Sequence, residues 1–227
     1  MAQYDEPEFD TDVPTLSEQN RELLERYLEA LPADARALVT DSVQTAAEAT
    51  GALRPLAVGD RAPDFTLRTP DGEAVQLGEH LDRGPVVLSF HRGGWCRFCS
   101  LELRALQRRQ PAIEALGGRI IAVSPEGPDE ARRTRQRNRV SFDVVSDPRN
   151  TVAATYGLVF PFYEHVGPVY REWGIDLPDW ALGRLELPIP ATYVIDTDGR
   201  ISTAFADPYY TRRLEPSDAI NALRALQ

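Results

Sequence analysis

The sequence predicts an α/β fold of three layers, a central mixed sheet between helices, preceded by an N-terminal helical arm. Three features predict it. Residues 85–90 and 119–124 are continuous apolar runs, as strands buried on both faces must be. A helical stretch separates them, as a parallel crossover requires. Two turn sequences, at 69–72 and 197–200, each lie between short strand-like runs and read as hairpins.

Taken in order, residues 1–14 show no periodicity and are expected to be disordered. Thr15 or Ser17 caps a helix running to about Leu31, with Leu16, Leu23, Leu24, Tyr27 and Leu28 on one side. Pro32 interrupts, and a second helix follows over 35–50, ending at Gly51. The arm is therefore an amphipathic hairpin in need of a surface to cover, either the main domain or a second copy, and dimerisation is the expectation. Residues 1–57 form this acidic tail and arm, and 58–227 the main domain.

Within the main domain, 65–68 pairs with 73–77, and 85–90 is the first buried strand. A helix then runs to Gln110, where Pro111 is expected to kink or break it, and Gly117 and Gly118 end it. After the strand 119–124, a helix from Pro128 to Arg139 carries Arg132, Arg133, Arg135, Arg137 and Arg139. Their alternate spacing spreads them around a solvated helix, which suggests docking of an acidic partner. A short strand at 142–145 and a helix capped by Asp147 or Asn150 come next. Residues 158–188 are rich in proline and aromatic rings and read mainly as cover for the core. The hairpin 191–205 and a helix over 217–226 close the fold.

Composition limits function. The chain has 227 residues, 42% of them hydrophobic and 26% charged, which is the balance of a soluble globular protein. No apolar run approaches the roughly 20 residues of a membrane span. The acidic start lacks a signal pattern, so a cytoplasmic location is expected. The net charge of −10 argues against nucleic acid as a partner. All 25 cationic residues are arginine, which excludes a Schiff-base lysine.

Both cysteines stand two residues apart, in the stretch from Ser89 to Glu102. Gly93 and Gly94 permit a tight turn after the strand. Cys96 then falls in the first turn of a helix with Cys99 on the same face. Free amide N–H groups and the positive dipole end there favour a thiolate, which is the reactive form of sulfur. Zinc needs four ligands, and only His80, His91 and His165 remain as usual soft donors, so neither metal nor cofactor is expected. A structural disulfide closing so short a loop stabilises little. The pair reads as redox-active. Arg92 is the nearest candidate donor to developing negative charge, or else the partner of a neighbouring acid. His91 is either a base or packs beside the strand end. Asp207 and Arg212 or Arg213 either support the site or tie down the last helix.

The segments 58–65, 92–102, 144–148, 190–199 and 207–216 resemble the peroxiredoxin-like branch of the alkyl hydroperoxide reductase and thiol-specific antioxidant group, on a thioredoxin fold. The resemblance implies a thiol-dependent peroxidase that reduces hydrogen peroxide or organic hydroperoxides. Its sulfenic acid would be resolved as a Cys96–Cys99 disulfide and then reduced by thioredoxin or a similar dithiol. Two frames fit the cysteines, and the first, with Cys99 attacking, is the expectation. The peroxiredoxin frame puts Cys99 in the attacking place and Glu102 in the place of the family's glutamate. The thioredoxin frame, with Trp95 directly before the pair, makes Cys96 the attacker and Cys99 the resolving thiol. Arg92 stands where peroxiredoxins carry proline. Pro190 replaces an expected arginine and resembles the cis-proline of thioredoxin-like reductases. Catalytic roles are thus expected of Cys99, Cys96, Arg92 and Glu102, with Trp95, Gly93, Gly94 and Pro190 in support. The alternative implied is a thiol-disulfide oxidoreductase without peroxidase activity.

Overall fold

The computed structural model describes residues 13–33, 36, 37, 40, 44, 47, 48, 50–161 and 186–227. Six helices are bounded within them: α1 (Leu16–Ala30), α2 (Leu77–Leu81), α3 (Arg97–Ala115), α4 (Pro128–Asn138), α5 (Thr151–Thr155) and α6 (Pro216–Ala225). The strands are β1 (Thr66–Arg68), β2 (Ala74–Gln76), β3 (Val86–Phe90), β4 (Arg119–Ser124), β5 (Asp143–Ser146), β6 (Val159–Phe160), β7 (Leu187–Pro188), β8 (Ala191–Ile195) and β9 (Ile201–Ala206).

Seven strands form one mixed sheet in the order β2-β1-β5-β4-β3-β8-β9. β3, β4 and β5 run parallel, and the outer strands pair antiparallel. Alternation along β3 explains the layering. Val86, Leu88 and Phe90 enter one core with Leu77, Val152 and Tyr156, the side of α2 and α5. Val87 enters the other with Leu103, Ala131, Ile220 and Leu223, the side of α3, α4 and α6. The expected three layers are the observed ones. β3 therefore lies in the middle of the sheet, and its C-terminal end delivers the cysteine turn.

Several local expectations are refined. Thr15, not Ser17, caps α1 in a capping box with Glu18. Asp147 takes the amide N–H groups of Thr151, Val152 and Ala153, so it holds the start of α5 while Asn150 supplies the left-handed turn. The helix after the cysteines does not stop at Pro111 but continues to Ala115. Pro111 is exposed and removes one amide bond, to the Gln107 carbonyl, whereas Ile113 is fully buried and anchors the last turn in the core. The amide of Gly118 then donates to the Ile113 carbonyl and ends the helix.

Three of the α4 arginines find partners within the chain. Arg135 donates to Asp71 at 2.6 Å, Arg132 to Asp129 at 2.8 Å and to the Pro70 carbonyl, and Arg133 to Glu130 at 2.9 Å. Arg132 and Arg135 thereby fasten the β1–β2 turn to the helix, while the Arg133 pair lies within it. Of the aromatic stretch, Phe160 is buried and β6 pairs with β7, but residues 162–185 lie outside the described residues. So do 1–12 and much of the second arm helix.

Gly157 has φ +70° and would bring a Cβ into the Arg54 carbonyl oxygen, where the segment leading from the arm passes the end of α5. Gly157→Ala is expected to lose about 2–4 kcal/mol of stability, read as a lower urea midpoint with unchanged slope.

Candidate active site

The turn after β3 is built to close tightly. Gly93 has φ +120°, and a Cβ there would meet the Trp95 ring nitrogen at 2.9 Å. A Cβ on Gly94 would lie 2.2 Å from Thr134 Oγ1. The Trp95 ring N–H donates to the Arg92 carbonyl at 2.9 Å, and the Cys96 amide to the Gly93 carbonyl at 3.1 Å. Beneath the turn sits Glu126, which is 3% exposed. Its carboxylate accepts from the Gly94 amide (3.0 Å), Thr134 (2.8 Å) and Ser124 (3.2 Å). Burial pushes its pKa up, against the pull of those donors. Neither Glu126 nor Thr134 is marked by any local motif.

Cys96 is the N-cap residue of α3, and Cys99 lies one turn in. Both are reduced and buried, Cys96 at 5% and Cys99 at 0% exposure. Cys99 Sγ accepts from the Arg92 amide at 3.5 Å and from Arg213 Nη2 at 3.4 Å. The Arg213 Nε donates to Glu102 at 3.1 Å, and Ser89 and Thr192 donate to the other Glu102 oxygen. A buried row thus runs from Glu102 through Arg213 to the sulfurs. The Arg92 guanidinium stacks between the rings of Tyr210 (4.4 Å) and Trp95 (4.9 Å).

This arrangement divides the two thiols. The Cys96 pKa falls well below the ordinary thiol value, because the Cys99 thiol donates to it and Arg92 and Arg213 lie close. The Cys99 pKa rises well above it, through burial and the thiolate beside it. The two shifts are opposed, and the lowered one belongs to Cys96. Burial also pushes Glu102 up, with Arg213 opposing. His91 is fully buried and its pKa drops to about 3, through burial and the Arg213 charge. It stays neutral, accepts from the Gly93 amide at 3.3 Å, and packs beside the strand end.

The structure gathers Cys96, Cys99, Arg92, Glu102, Trp95, Gly93 and Gly94 at one point. Pro190 is buried beside them, one residue before Ala191, which pairs with Phe90. The cis bond implied by the resemblance is absent: every peptide bond among the described residues is trans. Arg213 is the group that motif reasoning left unassigned. Arg212 instead turns outward to Asp207. Only the pairing of a buried acid with a distant arginine singles out Arg213, and the sequence carries no mark of that pairing. Among the described residues, no three His, Cys, Asp or Glu side chains gather as a metal site.

Residues 58–204 match the AhpC/TSA family, which is well over half of the chain. The chain belongs to that family. It is 26% identical over 106 residues to a putative peroxiredoxin bcp of Haemophilus influenzae, covering 47% of this chain and 68% of that protein. It is 27% identical over 147 residues to the thiol-disulfide oxidoreductase ResA of Geobacillus thermodenitrificans, covering 64% and 67%. The crystal structure of peroxidoxin BcpB from Mycobacterium tuberculosis superposes with a TM-score of 0.60 at 22% identity, over 76% of this chain and 99% of that one. That likeness establishes the peroxiredoxin-type thioredoxin fold. Arg213 lies beyond the matched segment of the family.

The thiolate gives a signed pH dependence. A folded pKa below the unfolded thiol range of about 8.5 contributes stability that is full above that range and declines as pH falls through the folded value. Cys96→Ser is expected to remove that part of the pH dependence of the urea midpoint. Arg92→Met is expected to move the thiolate absorbance titration near 240 nm to higher pH.

Proposed function

We propose that this protein is a thiol-dependent peroxidase, an oxidoreductase of the peroxiredoxin type acting on hydrogen peroxide or organic hydroperoxides. The observation that carries the reading is a pair of free, buried cysteines at the start of α3 with two buried arginines, Arg92 and Arg213, packed around them. Its AhpC/TSA membership and its peroxiredoxin relatives supply the substrate class.

The Cys96 thiolate attacks the distal oxygen of the hydroperoxide. An S–O bond forms, the O–O bond breaks, and the alkoxide or hydroxide that leaves takes up a proton. Arg92 and Arg213 stabilise the charge as it passes from sulfur to oxygen. The Cys99 thiol then attacks the Cys96 sulfenic sulfur, giving up its proton as water departs, and the Cys96–Cys99 disulfide forms. Glu102 fixes Arg213 in place. A dithiol of the thioredoxin type returns two electrons and two protons. This chemistry suits the cytoplasm, where such dithiols are kept reduced. The arm of residues 1–57 is an appendage to the 58–227 domain in this reading, and pairing of two copies through it is checked by sedimentation of the full chain.

The second reading, a thiol-disulfide oxidoreductase, is favoured by one observation: Trp95 directly precedes Cys96, which caps the start of α3, as in the thioredoxin frame. The experiment is peroxide consumption by the pre-reduced protein and its two serine variants. Cys96→Ser is expected to abolish it. Cys99→Ser is expected to keep a single turnover and leave a sulfenic acid that dimedone traps. The reverse pattern assigns the attack to Cys99. Consumption no faster than by free cysteine, together with rapid reduction of insulin disulfides, replaces the peroxidase with the reductase.

A further inference from the structure

The cysteine pair is covered by the chain's own first helix. Leu23 and Leu24 of α1 pack against the cluster of Cys96, Phe98 and Cys99. Tyr27 stacks on Phe98 with ring centroids 6.5 Å apart and 25° between planes, and the Arg97 guanidinium lies 5.3 Å from the Tyr27 ring. On the other side of Phe98, Tyr210 meets it edge-on at 5.5 Å.

Two opposed features set how firmly α1 is held. Glu215 clamps its start: one carboxylate oxygen accepts the Leu16 amide at 3.0 Å and the other the Ser17 amide at 2.7 Å. A carboxylate at a helix N-terminus is also favoured by the helix dipole. Glu215 makes no cap bond to α6, the helix it precedes, so its side chain serves α1. Against the clamp stands Asn20. It is 3% exposed on the covered face of α1, and neither its amide nitrogen nor its carbonyl oxygen has a hydrogen-bond partner among the described residues. A buried amide so placed loses its water without replacement, and it regains that water when the helix lifts.

We propose that the surface beneath α1, centred on Phe98 and the two cysteines, is the docking surface of the protein dithiol that reduces this protein, and that α1 is the lid the reductant displaces. The proposal rests on the redox cycle of the preceding section and names where its partner binds. A partner protein's thiolate must reach a sulfur that is almost fully covered. It attacks that sulfur of the Cys96–Cys99 disulfide, an S–S bond forms between the proteins as the internal one breaks, and the partner's second thiol closes its own disulfide. Two electrons pass to Cys96 and Cys99, which are left with the two protons. A small dithiol needs a narrower opening than a protein does. A cleft of about 380 Å³ lies between α1 and α3, lined by Leu23, Arg97, Leu101 and Arg104 among others but by neither cysteine, so a small movement of α1 widens it toward them.

The test uses full-length protein oxidised with diamide, so that it does not depend on peroxide turnover. Reduction is followed by Trp95-region fluorescence, with dithiothreitol in one arm and a bacterial thioredoxin, kept reduced by its reductase, in the other. Asn20→Leu removes the unmet amide at similar volume and tightens the lid. Glu215→Ala removes the clamp. Reduction by thioredoxin is expected to slow about tenfold in Asn20→Leu and to quicken about fivefold in Glu215→Ala, since one lost or gained buried contact shifts such an equilibrium by that order. Dithiothreitol rates are expected to stay within about twofold in both. Equal thioredoxin rates in all three proteins, or parallel changes in both arms, overturn the lid. A wild type that thioredoxin reduces normally but that consumes no peroxide overturns the peroxidase and leaves the docking surface standing. Failure of thioredoxin on all three overturns the docking surface.

Discussion

The contact between Arg213 and the Glu102–Cys99 pair is the interaction on which the site depends. All three side chains are excluded from water, and an isolated charge in such a place is severely penalised. The arginine satisfies the carboxylate on one edge and reaches sulfur with another. Remove it and a buried acid is left beside a thiol, a combination that favours protons on both. With it, the Cys99 sulfur keeps a cationic donor in the interior, and the neighbouring Cys96 feels the same positive charge. The sheet supplies the frame: Ser89 and Thr192, opposite each other on β3 and β8, fix the carboxylate that fixes the arginine.

The turn above depends on a second buried acid with a different task. Glu126 faces no charge among its hydrogen-bond donors. It collects one amide and two hydroxyls, and so joins the glycine turn to β4 and α4. One carboxyl thus orders charge and the other orders backbone. Position relative to the arginines decides which. Both rise in pKa through burial, yet only Glu102 has a cation to oppose that rise.

Much of this was legible in the residues. The strands of the central sheet announce themselves by unbroken apolar runs, because both faces are covered. The glycine pair before a cysteine pair announces a turn into a helix start. What local pattern does not carry is pairing at a distance. Arg213 stands 111 residues from Glu102, and its neighbour Arg212 has the same identity and a surface role. The arginines of α4 look like a solvated band until the β1–β2 turn brings Asp71 to them. Pro111 reads as a break because local rules do not count the burial of Ile113 two residues on. Leu23, Leu24 and Tyr27 show that α1 has an apolar side, but only the fold shows that side closing over sulfur.

The separation of Arg213 from the cysteines along the chain has an effect on timing. A ribosome releases Cys96 and Cys99 more than a hundred residues before the guanidinium that comes to lie against Cys99. Until the segment that carries Arg213 docks, neither sulfur has that guanidinium beside it. The surroundings that set the two thiols apart therefore exist only in the folded chain.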